Sequence, residues 1–296
     1  MRSRPPAGQT TRPASPPAAK ARPPGPRSSQ TQPDRAHAGT HGAARSGAAP
    51  RGSGGGLWLY GLHPVEAALR NPQRRLRRLL LTEEAEATLT QRLGTRNGTP
   101  WPLAVERTDR ARLDALVGRD AVHQGAALQA DPLASPTLEA ALQRPGPVLV
   151  LDQVSDPRNV GAILRSASAF GAAAVVVQDR NAPEETGALA KAASGALETM
   201  PLLRAVNLSR TLVALKAAGL WVVGLDAGGG VLVGDAFRER RVALVLGAEG
   251  EGLRRLTRET CDEIAGLHMP GGMESLNVSN AAAVALYELI RQSQSA

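Results

Sequence analysis

Val148-Leu149-Val150-Leu151-Asp152-Gln153-Val154-Ser155-Asp156-Pro157-Arg158-Asn159-Val160-Gly161-Ala162-Ile163-Leu164-Arg165 decides the fold class. Four consecutive apolar residues read as a strand buried on both faces, as in a parallel sheet. Asp156-Pro157 then starts a helix, with aspartate as the cap and proline at the first helical position. Outward from here, residues 174–177, 220–225 and 242–246 repeat the apolar signature, and 264–269 supplies a fifth strand. Helical segments lie between them. Strands alternating with helices predict an α/β domain on a mostly parallel sheet, covered on both faces. Ligands of such sheets bind beyond the C-terminal ends of the strands.

Three loops fall at those ends. In the first, Asn159 and Arg165 are six residues apart, nearly two turns, so they share one side of the helix at different heights. Gly161 lets another backbone approach closely. Read alone, this is also a capped helix with a surface arginine. The second loop is Leu246-Gly247-Ala248-Glu249-Gly250-Glu251-Gly252-Leu253. Its glycines imply tight turning or close contact with a ligand. The order G-x-x-G-x-G is not the dinucleotide fingerprint, and its late position argues against a nicotinamide or flavin cofactor. Glu249 is a carboxylate caged by small residues, or simply a solvated one. The third is Met269-Pro270-Gly271-Gly272, leading to Ser275-Leu276-Asn277-Val278-Ser279-Asn280-Ala281-Ala282-Ala283. Helix starts carry unpaired N–H groups and suit caps, anions or polar ligands.

Together the loops offer backbone groups for a small polar ligand and five convergent side chains: Asn159, Arg165, Glu249, Ser275 and Asn277. No histidine pair or carboxylate dyad accompanies them, and Cys261 is the only cysteine. Metal catalysis, a Ser-His-Asp triad and glycosidase chemistry are disfavoured on that ground. His63, His123 and His268 read as structural.

The net charge of +8 is carried by residues 1–56, which hold nine Lys/Arg and one acid, Asp34. This Pro/Gly/Ala/Arg-rich tail lacks the apolar side chains that offset ordering entropy, so disorder is predicted. It suits a polyanion such as RNA, or is a plain low-complexity extension; its prolines disfavour a transit peptide. No apolar run is long enough to cross a bilayer and no signal-peptide core is evident, so a cytoplasmic protein with no membrane partner is expected. Residues 57–133 read as a small α/β unit, followed by a Pro/Gly-marked linker over 134–146 and the large unit over 147–296. In the small unit Arg70, Arg74, Arg75, Arg77 and Arg78 crowd one corner. Phosphate contact through Arg74, Arg75, Arg77 and Arg78 is the functional reading; a solvated corner is the bland one.

In order, spacing and strand-end placement, the three loops resemble the three motifs of the SpoU (TrmH) family of RNA ribose 2′-O-methyltransferases. The resemblance covers about residues 57–293. Tyr60-Gly61-Leu62-His63-Pro64-Val65 and His123-Gln124-Gly125 look like the family's small substrate-binding domain, similar to ribosomal protein L30e. That arrangement, with residues 250–263, most resembles the subgroup that methylates a guanosine of large-subunit (23S) rRNA. The resemblance implies a deep C-terminal trefoil knot, otherwise very rare. It implies S-adenosylmethionine as methyl donor, held by backbone groups of Gly247, Leu267 and Leu276, with no metal. It implies a homodimer acting on rRNA. Arg165 would contact the target phosphate and activate the 2′-hydroxyl, with Asn159, Glu249, Ser275 and Asn277 orienting the reactants. Two departures stand out. Asn280 replaces a usual apolar residue, which is expected to disturb packing of the last helix slightly, and His268 replaces a usual proline. A tRNA methyltransferase and a non-catalytic RNA-binding protein of the same fold are the rival readings.

Overall fold

The computed structural model describes residues 56–94, 101–248, 250–273 and 275–291. The predicted disordered tail, but for Gly56, lies outside the described residues, and so does Glu249. The front unit runs β1 (Leu57–Tyr60), α1 (Leu62–Arg70), β2 (Leu76–Leu81), α2 (Glu83–Leu93), β3 (Val105–Arg107), α3 (Arg110–Val117), β4 (Ala126–Ala130). Its sheet has the order β1-β4-β2-β3. β4 is antiparallel to both neighbours, and β2 and β3 are parallel. Asp109 caps α3 as its position predicts, accepting from the Arg112 N–H at 2.8 Å. His123 is structural too: its Nδ1 accepts from the Gly125 N–H, and its Nε2 meets Asp114 at 3.1 Å.

The segment 134–146 is not a bare linker. It contains α4 (Leu138–Leu142), capped by Thr137 and packed by Leu138, Ala141 and Leu142 onto the second sheet. Arg241 closes its far end by donating to the carbonyls of Leu142, Arg144 and Gly146. Prolines at both ends made the segment look irregular, and a five-residue helix is too short to show periodicity.

The large unit continues β5 (Val148–Leu151), α5 (Pro157–Ala169), β6 (Ala174–Gln178), α6 (Gly187–Ala193), β7 (Leu202–Ala205), α7 (Leu208–Ala217), β8 (Leu220–Val231), β9 (Arg241–Leu246), α8 (Arg255–Thr260), β10 (Glu263–Gly266) and α9 (Val278–Ile290). The six strands line up as β10-β8-β9-β5-β6-β7, and every neighbouring pair is parallel. Alternation along the strands makes three layers. Leu149, Leu151, Val175, Val177, Leu244 and Leu246 face a core shared with Ile163 of α5 and Ala282 and Leu286 of α9. Val148, Val150, Val176 and Val245 face the other way, onto Leu208, Leu212 and Leu215 of α7. The first core continues into Leu59, Val65, Leu79 and Leu128 of the front unit, so part of the seam between the sheets is apolar.

Three strands differ from expectation. β8 runs on to Val231 instead of ending at Leu225. β7 was not foreseen: as an edge strand it buries Leu203 and Ala205 while Leu202 and Arg204 stay partly exposed, so it has no continuous apolar run. β10 stops at Gly266 rather than Met269, because the residues beyond it leave the sheet to wall the site. Asn280 does not disturb the core. It is exposed on a stripe of α9 with Val284 and Tyr287.

Candidate active site

The loop after β5 is built around Asp152, which is fully buried. Its N–H donates to the Leu246 carbonyl at 2.8 Å, and its carboxylate accepts from Arg254 Nε at 2.7 Å and the Arg254 N–H at 3.1 Å. A buried carboxylate requires such partners. Asp152 thereby ties the first loop to the second. Asp156 caps α5, accepting from the Arg158 N–H at 2.8 Å, with Pro157 in the first turn as its sequence predicts. Gly161 faces α6: a Cβ there would lie 2.4 Å from the Leu189 carbonyl oxygen.

The second loop folds back on itself. The Gly252 N–H donates to the Ala248 carbonyl at 3.0 Å, and Gly250 and Gly252 have φ of 84° and 67°, which favour glycine. Gly247 is held by proximity instead. A Cβ there would lie 2.1 Å from the Gly252 carbonyl carbon and 2.5 Å from the Leu253 nitrogen. Gly247→Ala is therefore expected to push the loop off its course. Overpacking of this kind costs about 1–3 kcal/mol, which is roughly 5- to 150-fold in donor affinity if it falls on binding. Calorimetry with S-adenosylmethionine, alongside a melting curve to show the fold intact, checks it; unchanged affinity would remove Gly247 from the pocket wall.

In the third loop Asn277 is the hinge. Its Oδ1 accepts from the Ser279 N–H at 3.0 Å and from Ser279 Oγ at 2.6 Å, capping α9. Its Nδ2 donates to Asn159 Oδ1 at 3.0 Å. One side chain thus starts the last helix and fixes it to α5. The cap reading of this run holds, and the same residue also lines a cavity.

These loops enclose a cavity of about 790 Å³, within the range of small-molecule sites. Gly247, Leu267 and Leu276, the residues expected to hold a donor, all line it, as do Ser275 and Asn277. Leu225, Leu246 and Val278 add apolar wall. Asn159 reaches the group through Asn277. Arg165 is exposed on α5 outside the cavity lining, with no ion-pair partner among the described residues. Sequence reasoning missed Asp226 and Glu251, which also line the cavity. Asp226 sits on an excursion of β8, where pairing with β10 jumps from Gly224 to Gly230 between Ile264 and Ala265. It accepts from Arg258 Nη1 at 2.5 Å. The run Asp226-Ala227-Gly228-Gly229-Gly230 was the available signal for that excursion.

The arginine corner is corrected in one respect. Arg74 is no phosphate contact: its side chain is fully buried and paired with Glu198 at 2.7 Å and Glu185 at 2.9 Å. Arg75, Arg77 and Arg78 remain at the surface. Arg77 pairs with Asp131, whose carboxyl it holds below the usual range, and Arg78 makes a two-pronged pair with Glu106. Arg75 lies 3.7 Å from Asp131.

Comparison with known proteins gives this geometry its place. Residues 146–287 match the model of the SpoU rRNA Methylase family, and residues 58–136 match that of RNA 2′-O ribose methyltransferase substrate binding. The 23S rRNA (guanosine-2′-O-)-methyltransferase RlmB of Pseudomonas putida is 39% identical over 245 residues, covering 80% of this chain and 96% of that one. The chain belongs to the SpoU rRNA methylase family. The RlmB protein of Pseudomonas aeruginosa is 40% identical over 240 residues, covering 79% of this chain and 96% of that one. Among solved structures, the SpoU methyltransferase AviRb from Streptomyces viridochromogenes in complex with AdoMet has a TM-score of 0.66 at 25% identity, covering 81% of this chain and 91% of that one. An RNA 2′-O ribose methyltransferase has a TM-score of 0.65 at 30% identity, covering 80% and 88%. The parallel α/β architecture of this SpoU chain is that of these methyltransferases.

Proposed function

We propose that this chain transfers the methyl group of S-adenosylmethionine to the ribose 2′-hydroxyl of a guanosine in 23S rRNA. The observation that carries the reading is the Asn277–Asn159 hydrogen bond, which locks the cavity to the helix bearing Arg165. A pocket for a small molecule and an exposed cation for RNA thus share one frame. The RlmB relatives support the 23S guanosine.

The cavity fits the donor in size, in its apolar walls and in the close-packed Gly247 turn, which leaves backbone groups rather than a side chain facing the ligand. Gly247, Leu267 and Leu276 would hold it. When bound, S-adenosylmethionine supplies a methyl group on a sulfonium sulfur, already activated for transfer. The chain must then align the acceptor, which alone lowers the barrier by several kcal/mol. Asn159, Ser275, Asn277 and Glu249 are assigned to this task; the Asn277–Asn159 bond and the place of Ser275 and Asn277 in the cavity wall support the first three. Arg165 holds the target phosphate and stabilises the negative charge that develops on the 2′-oxygen as the hydroxyl proton passes to solvent water. We further assign the front unit, residues 57–133, to RNA binding on an L30e-like fold, and the C-terminal part of the large unit to a trefoil knot. A cytoplasmic homodimer completes the reading; the exposed stripe of Val284 and Tyr287 on α9 supports a second copy there.

Incubation with S-adenosylmethionine and 23S rRNA, followed by mapping of 2′-O-methyl sites, is expected to give one modified guanosine. Transfer to tRNA alone would instead establish the tRNA reading, and no transfer to either would establish a binding protein.

A further inference from the structure

The front corner carries the densest run of arginines, yet folding meets its charge with carboxylates. Arg70, Arg74, Arg77 and Arg78 pair with Glu66, Glu185 and Glu198, Asp131 and Glu106. The guanidinium of Arg78 also lies 5.8 Å from the centre of the Trp58 ring. Across the seam, Arg158 and Arg165 on α5 and Lys191 on α6 are among the cations that have no carboxylate partner among the described residues.

Lys191 is held deliberately. Its Nζ donates to Gln124 Oε1 at 2.5 Å, a neutral partner. Its stem lies across Gly61, where a Cβ would come within 2.6 Å of Nζ and 3.0 Å of Cδ. Gln124 presents its amide from a left-handed backbone, φ 54°, which a non-glycine residue adopts only at a cost. Two front-unit turns are therefore shaped around one lysine of the large unit. Burial lowers the pKa of Lys191, with no carboxylate to oppose it. A half-buried ammonium with only an amide for company favours an incoming anion.

Arg158 adjoins the same place. Tyr60 of the front unit lies against the first turn of α6, where a Cβ on Gly187 would fall 2.3 Å from its ring, and the charge of Arg158 acts on its hydroxyl. Arg158 and Arg165 flank Gly161 at i−3 and i+4, on the side of α5 that meets α6. Seven residues separate them, about 10 Å along the helix. Targets that expose a reactive ribose are single-stranded loops or bulges, whose backbone phosphates a row of cations of this length can meet.

We propose that Lys191 and Arg158 form a phosphate-binding subsite that holds the backbone of substrate RNA at the seam between the two sheets, beside Arg165. The proposal rests on the RNA methyl-transfer reading above. Each phosphate contact contributes roughly 0.7 to the slope of log K against log salt for a single strand. Lys191→Gln and Arg158→Gln are each expected to lower that slope by about 0.7 and to weaken binding of a 23S rRNA fragment about 10-fold at low salt. Donor affinity is expected to stay constant, with kcat at saturating RNA within about 2-fold. Lys191→Arg is expected to restore the slope. Arg210→Gln on α7, across the sheet, removes the same charge and is expected to leave the slope unchanged. An undiminished slope in both seam variants, or an equal fall in Arg210→Gln, overturns the subsite. Wild-type methyl transfer, measured in the same series, tests the underlying reading separately.

Discussion

Arg165→Ala is expected to lower kcat for RNA methyl transfer by at least about 100-fold, the scale on which removing one preorganised charge or donor acts. The dissociation constant for S-adenosylmethionine is expected to move less than about 2-fold, since Arg165 lies outside the cavity lining. The contrast is what makes the test specific. A residue needed for the fold would damage both quantities; a surface arginine of no consequence would damage neither. Arginine side chains stay protonated in proteins, so removal of the hydroxyl proton by Arg165 itself is a poor account. Stabilising the negative charge that develops on the oxygen needs only a fixed cation in the right place. The rigidity comes from α5, capped by Asp156 and fixed by Asn159 to Asn277 of the third loop. Arg165→Lys keeps the charge but loses the planar fork, so an intermediate rate is expected. Single-turnover transfer together with calorimetry reads both effects, and near-normal turnover in Arg165→Ala would remove the residue from the reaction.

The central strands were legible because burial on both faces leaves an unmistakable apolar run. Val148–Leu151 and the strand ending at Leu246 needed no tertiary information. β7 hid because an edge strand faces the core on one side only. The second loop was legible from glycine spacing, and its three glycines do have separate backbone reasons. Asp152 and Asp226 were not. Their importance lies in partners far along the chain, Arg254 and Arg258, and nothing local announces such a pairing. The arginine corner shows the same limit from the other side. Counting charges on the chain finds cations but cannot find the glutamates that fold onto them, so Arg74 was read as a surface contact and Lys191 passed unnoticed. Asn277 was legible as a cap; that it also ties two loops together needed the fold.

Arg74→Ala is expected to destabilise the protein by about 3–5 kcal/mol, the usual cost of removing one partner from a buried ion pair. The guanidinium is fully buried and each of its three nitrogens is bonded. Nε and Nη2 bond the Glu198 carboxylate, and Nη1 bonds Glu185 at 2.9 Å and the Asp131 carbonyl at 2.8 Å. Burial alone would lower the pKa of Arg74, and the two glutamates more than reverse that. Asn71 completes the shell of Glu198 at 2.8 Å, and the Leu133 N–H that of Glu185 at 3.1 Å. Truncation leaves two carboxylates facing a partly apolar seam with no cation between them. Adding Glu198→Gln to Arg74→Ala removes one stranded charge, so the double variant is expected to recover part of the loss. Urea titration of the full chain reads both, and a cost below about 1 kcal/mol would return Arg74 to the exposed class that sequence alone suggested. The functional corollary follows from where the cluster sits. Arg74 lies on the front unit and Glu185 and Glu198 on the large one, so the cluster ties the unit that carries Gln124 and Tyr60 to the one that carries Lys191 and Arg158. In folded Arg74→Ala, RNA methylation is therefore expected to fall through KM for RNA, while the S-adenosylmethionine cavity, walled by the large unit alone, keeps its affinity.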